Sequence, residues 1–225
     1  MINKIVDSMA EAVAGLQDGA AIMISGFGDA GAPAELIEAV IAQGATDLTI
    51  ISNNAGAGEV GIAALMKAKR VRKVICSFPR QNGSHHFEAR YRAGEVELEL
   101  VPQGNLACRI EAAGAGLGAV YTPTGYGTLL AEGKETREID GRHYVLEYPI
   151  HADFALVKAR AADRWGNLVY RKVARNFGPI MARAARTTVV QVAEIVELGA
   201  LDPETIVTPG IFVNRVVLSS APATA

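Results

Sequence analysis

Three short stretches carry most of the chemistry this chain could perform. They are Ser25-Gly26-Phe27-Gly28, Ser52-Asn53-Asn54 and Pro102-Gln103-Gly104, and each directly follows a short strand-like segment. Glycine lets the backbone approach a bound group and aim its N–H donors at negative charge. The side-chain amides of Asn53, Asn54 and Gln103 add uncharged donors to that set. Such an inventory suits an anion, a phosphate or an oxyanion. It lacks an obvious nucleophile or base. Ser25 stands between Ile24 and Gly26, so no Gly-x-Ser-x-Gly elbow surrounds it.

The remaining candidates read as structural. His85 and His86 are adjacent, and adjacent side chains on a helix do not face one site. His143 and His151 fit a hairpin and a post-proline turn, and the charged stretch 132–140 fits a solvated loop. Cys76 and Cys108 have neither metal-ligand nor disulfide-framework spacing and read as small packed hydrophobes. Arg80 and Arg109 adjoin the donor-rich loops and are cations able to pair bidentately with a carboxylate.

Gly26, Gly28 and Gly31 also spell Gly-x-Gly-x-x-Gly, with Pro33 opening the next segment. A dinucleotide site needs an acid about 20 residues on, at the end of the second strand. Here that strand ends in Ser52-Asn53-Asn54, and Asp47 lies at its other end. The nicotinamide reading therefore ranks second. Glycines at a tight strand-to-helix turn can also serve chain reversal alone.

Strand and helix patterns alternate through the first half. Segments 20–24, 48–51, 71–77 and 96–101 read as strands, separated by helices at 34–43, up to 65, 84–93 and 106–113. Residues 1–17 read as an amphipathic helix with Ile5, Met9, Val13 and Leu16 on its apolar face, not as a signal peptide. Alternation of this kind predicts an α/β fold, a mainly parallel open sheet covered by helices. The pattern changes near Gly114, where glycine-rich loops begin and Asp140-Gly141 marks a hairpin in the second half. Runs 154–158 and 187–196 are strands able to rejoin the sheet, and the residues after Leu218 read as a frayed tail. One domain over 1–218 is expected.

The 225 residues are half apolar, enough for a sizeable core. A net charge of −2 gives no electrostatic case for nucleic acid or an acidic membrane. No apolar run reaches the ~18 residues of a membrane span. The expectation is a cytoplasmic protein.

Several ordered segments resemble one family. Residues 18–33 (DGAAIMISGFGDAGAP), 101–107 (VPQGNLA), 122–128 (TPTGYGT), 162–168 (ADRWGNL), 174–177 (ARNF) and 207–213 (VTPGIFV) look like the alpha subunit of family I 3-oxoacid CoA-transferases. The resemblance extends to about Val217, and within the family the 3-oxoadipate branch fits best, with acetoacetate- and butyrate-type enzymes next. It implies transfer of CoA from succinyl-CoA to a 3-oxoacid by a ping-pong route through a glutamyl thioester. The nucleophilic glutamate would belong to a Ser-Glu-Asn-Gly motif on a beta subunit, in a heterotetramer or larger assembly. No Glu-Asn pair occurs in this chain. Gln103 matches the family glutamine that donates to the thioester oxygen, and Gly26, Phe27 and Gly28 match its glycine loop, beside Asn53 and Asn54. The implied chemistry calls for no metal or redox cofactor, CoA being a substrate. Two positions depart from the family: Ser25 replaces a usual glycine and Cys108 a common glutamate. A sugar-phosphate isomerase or a non-catalytic binding module of similar topology also stays open here.

Overall fold

A computed structural model describes residues 2–220. After a short α1 (Met9–Ala12), strand and helix alternate through the first half. The order is β1 (Ala21–Ile24), α2 (Ala34–Gln43), β2 (Leu48–Ile51), α3 (Ile62–Lys67), β3 (Val71–Cys76), α4 (His85–Arg92), β4 (Glu97–Leu100) and α5 (Gln103–Ala115). A small antiparallel sheet follows, built from β5 (Val120–Thr122), β6 (Thr136–Ile139) and β7 (Arg142–Glu147). The chain then returns through β8 (Ala152–Asp163), β9 (Leu168–Val169), α6 (Gly178–Ala184), β10 (Ala185–Val196) and β11 (Arg215–Leu218).

The main sheet runs β11-β10-β8-β1-β2-β3-β4, all parallel, with β9 pairing antiparallel to β8. Helices cover both faces, which is why the central strands β1 and β2 read as apolar runs. Side chains alternate between two cores, as a pleated strand requires. Ile22, Ile24, Ile50 and Val74 join Leu36, Leu65 and Phe87 on the face of α2, α3 and α4. Met23, Ile51 and Ile75 join Leu106, Ile110 and Met181 on the face of α5 and α6. The mainly parallel α/β architecture expected from the sequence is thus the one present. The Asp140-Gly141 hairpin is also present, with both residues at positive φ (50° and 73°).

Three boundaries differ from expectation. Residues 1–17 do not form one helix. Val6 N donates to Val216 O at 2.9 Å and Val216 N to Lys4 O at 2.7 Å, so the start of the chain extends the sheet beyond β11. Ser8 then caps a helix of four residues, its Oγ accepting from Glu11 N. The apolar periodicity is real, but long-range strand pairing claims its first third.

Second, α5 starts at Gln103, a position that reads as loop in the sequence. Pro102 (φ −51°, ψ 140°) is its N-cap, and Leu106 N closes the first turn on Pro102 O at 2.8 Å. Third, α5 continues through Gly114. A Cβ there would sit 2.7 Å from Arg183 Cβ, so this glycine permits close packing of α5 on α6. At the far end, Ser219 and Ser220 hydrogen-bond to Glu35. The rest of the expected tail, 221–225, lies outside the described residues. No helix among the described residues is long and apolar enough to cross a membrane.

Candidate active site

β1 is where the sheet changes direction: β2 to β4 extend to one side of it, and the returning β8 lies on the other. In open α/β sheets ligands collect at such a switch point, outside the carboxyl ends of the strands. A cavity of about 180 Å³ lies there, walled by Ser25, Gly26, Gly28, Asn54, Gly61 and Lys158 among others.

The glycine loop is tightly self-bonded. Gly26 (φ 134°) donates its N–H to Asn176 Oδ1 at 3.1 Å, and Phe27 N–H goes to Ala30 O at 3.0 Å. Gly31 (φ 80°) has no room for a side chain, since a Cβ would stand 2.3 Å from Ala174 O. These glycines therefore shape the loop, and two of the donors named from sequence are already spent, Phe27 N–H inside it and Gly26 N–H on Asn176. Gly28 and Asp29 line the cavity, and the Phe27 ring is 48% exposed. Buried Ser25 is absent from the positive-φ positions, which explains how serine replaces glycine here. Its Oγ donates to Gly31 O at 2.8 Å and accepts from Lys158 N at 3.2 Å, stapling the loop to β8.

Asn53 and Gln103 meet. Ser77 Oγ donates to Asn53 O at 3.1 Å, so its lone pair accepts from Asn53 Nδ2 at 3.0 Å. That fixes which end of the Asn53 amide is the donor. The same Nδ2 donates to Gln103 Oε1 at 3.3 Å. Gln103 must consequently present its Nε2 away from Asn53. That nitrogen has no partner among the described residues, and Gln103 is solvent-exposed at the first position of α5. Buried Asn53 thus acts as the orienting group and Gln103 as the available donor. Asn54 serves the backbone instead. Its Oδ1 accepts from Gly56 N at 2.8 Å and shapes the loop along the cavity.

The first turn of α5 is pinned from behind. Asn105 Nδ2 donates to Thr124 O and to Glu147 Oε1, and its Oδ1 accepts from Thr122 Oγ1 at 2.8 Å. Glu147, 3% exposed, also meets Lys134 Nζ at 2.7 Å and Arg109 Nε at 3.7 Å. Arg109 further binds Glu99 at 3.0 Å and Tyr148 O at 2.8 Å, so this candidate cation is engaged in structural pairs. Arg80 is largely exposed and pairs with Glu88 at 3.2 Å. Lys158 is a lining residue that the sequence reading misses. It lies within β8 after the apolar residues 154–157, lines the cavity and forms no ion pair among the described residues. A cation within an otherwise apolar strand was the available signal.

Cys76 is buried as expected, and that burial pushes its thiol up to about 12, so it is not reactive. Cys108 is exposed on α5, contrary to the packed position expected. His143 stacks on Tyr126 with ring centroids 4.4 Å apart.

The sequence profile of the Coenzyme A transferase family matches residues 6–219. The chain belongs to that family. It is 69% identical to the A subunit of the 3-oxoadipate CoA-transferase of Pseudomonas putida, over 99% of this chain and 96% of that protein. It is 49% identical to the A subunit of the succinyl-CoA:3-ketoacid coenzyme A transferase of Xanthomonas campestris pv. campestris strain B100, over 97% of this chain and 90% of that one. A crystal structure of an acyl-CoA transferase from E. coli O157:H7, in a thioester complex with CoA, shares the fold with a TM-score of 0.85 at 22% identity. That match covers 97% of this chain and 47% of the E. coli chain. The glycine signature is therefore that of a CoA-transferase, and the nicotinamide alternative falls.

Proposed function

We propose that this chain is the A subunit of a two-subunit enzyme that moves CoA from succinyl-CoA to 3-oxoadipate. The observation that carries the reading is the oriented Gln103 amide, held by Asn53 with its N–H donors outward. The substrate choice rests on likeness: 69% identity to the 3-oxoadipate relative, compared with 49% to the 3-ketoacid one.

The chemistry is divided. On the partner, a carboxylate attacks the thioester carbonyl carbon of succinyl-CoA, and that carbonyl oxygen gains negative charge. Gln103 Nε2–H donates to this oxyanion, a service worth more in the transition state than in the ground state. Collapse expels CoA thiolate and leaves a mixed anhydride. The thiolate then attacks the partner's own carbonyl, succinate departs, and a glutamyl thioester remains. The 3-oxoacid carboxylate repeats the sequence in reverse and leaves as its CoA thioester. Protons need not be exchanged with the enzyme, which fits an inventory of uncharged donors. The assembly is a heterotetramer or larger, working in the cytoplasm.

The test of the substrate is a comparison of kcat/KM for 3-oxoadipate and acetoacetate, with succinyl-CoA as donor and the assembled pair as enzyme. A clear preference for 3-oxoadipate is expected. Equal constants would overturn the substrate choice and leave the transferase reading intact.

A further inference from the structure

Neighbours on a helix diverge, so His85 and His86 should point to different places. They converge. Each Nε2 lies 3.0 Å from the same atom, Glu59 Oε1, and the three ligand-capable atoms all lie within 4.8 Å of one another. Glu59 comes from the loop between β2 and α3, and its Oε1 meets both imidazoles at the first turn of α4. The ring centroids are only 4.1 Å apart.

The second carboxylate oxygen is separately held. Lys67 Nζ, from the last turn of α3, lies 2.7 Å from Glu59 Oε2. One Glu59 oxygen, Oε1, thus faces both imidazoles while an outer partner fixes Oε2, the usual arrangement around a ligating carboxylate.

We propose that Glu59, His85 and His86 form a Zn²⁺ site. Two imidazoles and a carboxylate make a borderline-soft set that suits zinc over the oxygen-seeking Mg²⁺ and Ca²⁺. A tetrahedral ion with bonds of about 2.0–2.1 Å holds its ligand atoms about 3.3 Å apart. The two N···O distances of 3.0 Å need to open by only a few tenths of an ångström. Three protein ligands leave the fourth position to water. The exposure of the cluster gives the ion a direct entry path.

The site joins two loops that already touch, Gly58 N donating to Gly83 O at 2.9 Å. Residues of the same loop, Gly56, Ala57, Val60 and Gly61, wall the cavity at the sheet's switch point. Bound zinc would clamp that wall to α4. Nothing in this assignment depends on which acyl group the enzyme transfers.

The test is calorimetric titration of ZnCl₂ into the purified protein, with amide exchange measured with and without the ion. One ion per chain should bind, and exchange should slow at 57–59 and 83–87. His85→Ala/His86→Ala and Glu59→Gln should each weaken binding by more than about 100-fold, beyond what loss of an outer partner costs. A His143→Ala/His151→Ala variant and Cys108→Ser should bind as the parent does. Circular dichroism confirms that each variant is folded. Absence of saturable binding by the parent, or binding that survives in the His85/His86 variant, would overturn the site.

Discussion

Gln103→Ala lowers kcat of the assembled enzyme by about 10²–10³-fold, equivalent to roughly 2.7–4 kcal/mol of lost transition-state stabilisation. The expectation follows from geometry. Asn53 takes Gln103 Oε1, so the Nε2 donors face outward from the start of α5. The oxygen they serve gains its full charge only during attack, and the affinity for CoA substrates should change far less. Asn53→Ala is the companion variant. It leaves Gln103 in place but frees its amide to turn, so a smaller fall in kcat of about tenfold is expected, the worth of one hydrogen bond. Steady-state kinetics on the reconstituted pair measures both, with co-purification showing assembly. An assembled Gln103→Ala enzyme with near-parental kcat would remove Gln103 from the oxyanion site.

Glu147→Ala has the largest expected effect on stability. Its buried carboxylate gathers Lys134, Asn105 and the nearby Arg109 at the base of α5. Removing one partner of a buried ion pair typically costs about 3–5 kcal/mol, because the remaining charge stays desolvated. Here Arg109 keeps Glu99, and Lys134 can turn to solvent, which places the expectation at about 3 kcal/mol, the low end of that range. Glu147→Gln should cost less, since its amide oxygen can still accept from Asn105. Urea unfolding, followed by circular dichroism, reads the difference. An alanine variant within about 0.5 kcal/mol of the parent, the range of ordinary surface substitutions, would show that the network does not hold the helix.

What the sequence made legible was mostly local. β1 and β2 were readable because a strand buried on both faces is a short apolar run bounded by turn residues. The hairpin was readable because Asp140-Gly141 supplies the positive φ that the turn demands. What stayed hidden depends on residues distant in the chain. The extended start at Lys4 to Val6 is set by Val216, and no helical periodicity within residues 1–17 encodes that partner. Gln103 is legible beside Pro102, but its placement on a helix depends on tertiary packing of α5. The 50-residue separation between Asn53 and Gln103 concealed which of them orients the other. The same holds for Glu59, brought to His85 and His86 only by the packing of neighbouring loops.

Half of an active site should do nothing alone. The most direct measurement takes this chain, its partner and their mixture, each assayed for CoA transfer from succinyl-CoA to 3-oxoadipate, followed by borohydride trapping of the thioester intermediate. The mixture should turn over, neither protein should do so by itself, and the trapped glutamyl label should fall on the partner only. Substantial turnover by this chain when rigorously purified, or a label on any of its residues, would contradict the division of chemistry proposed for this enzyme.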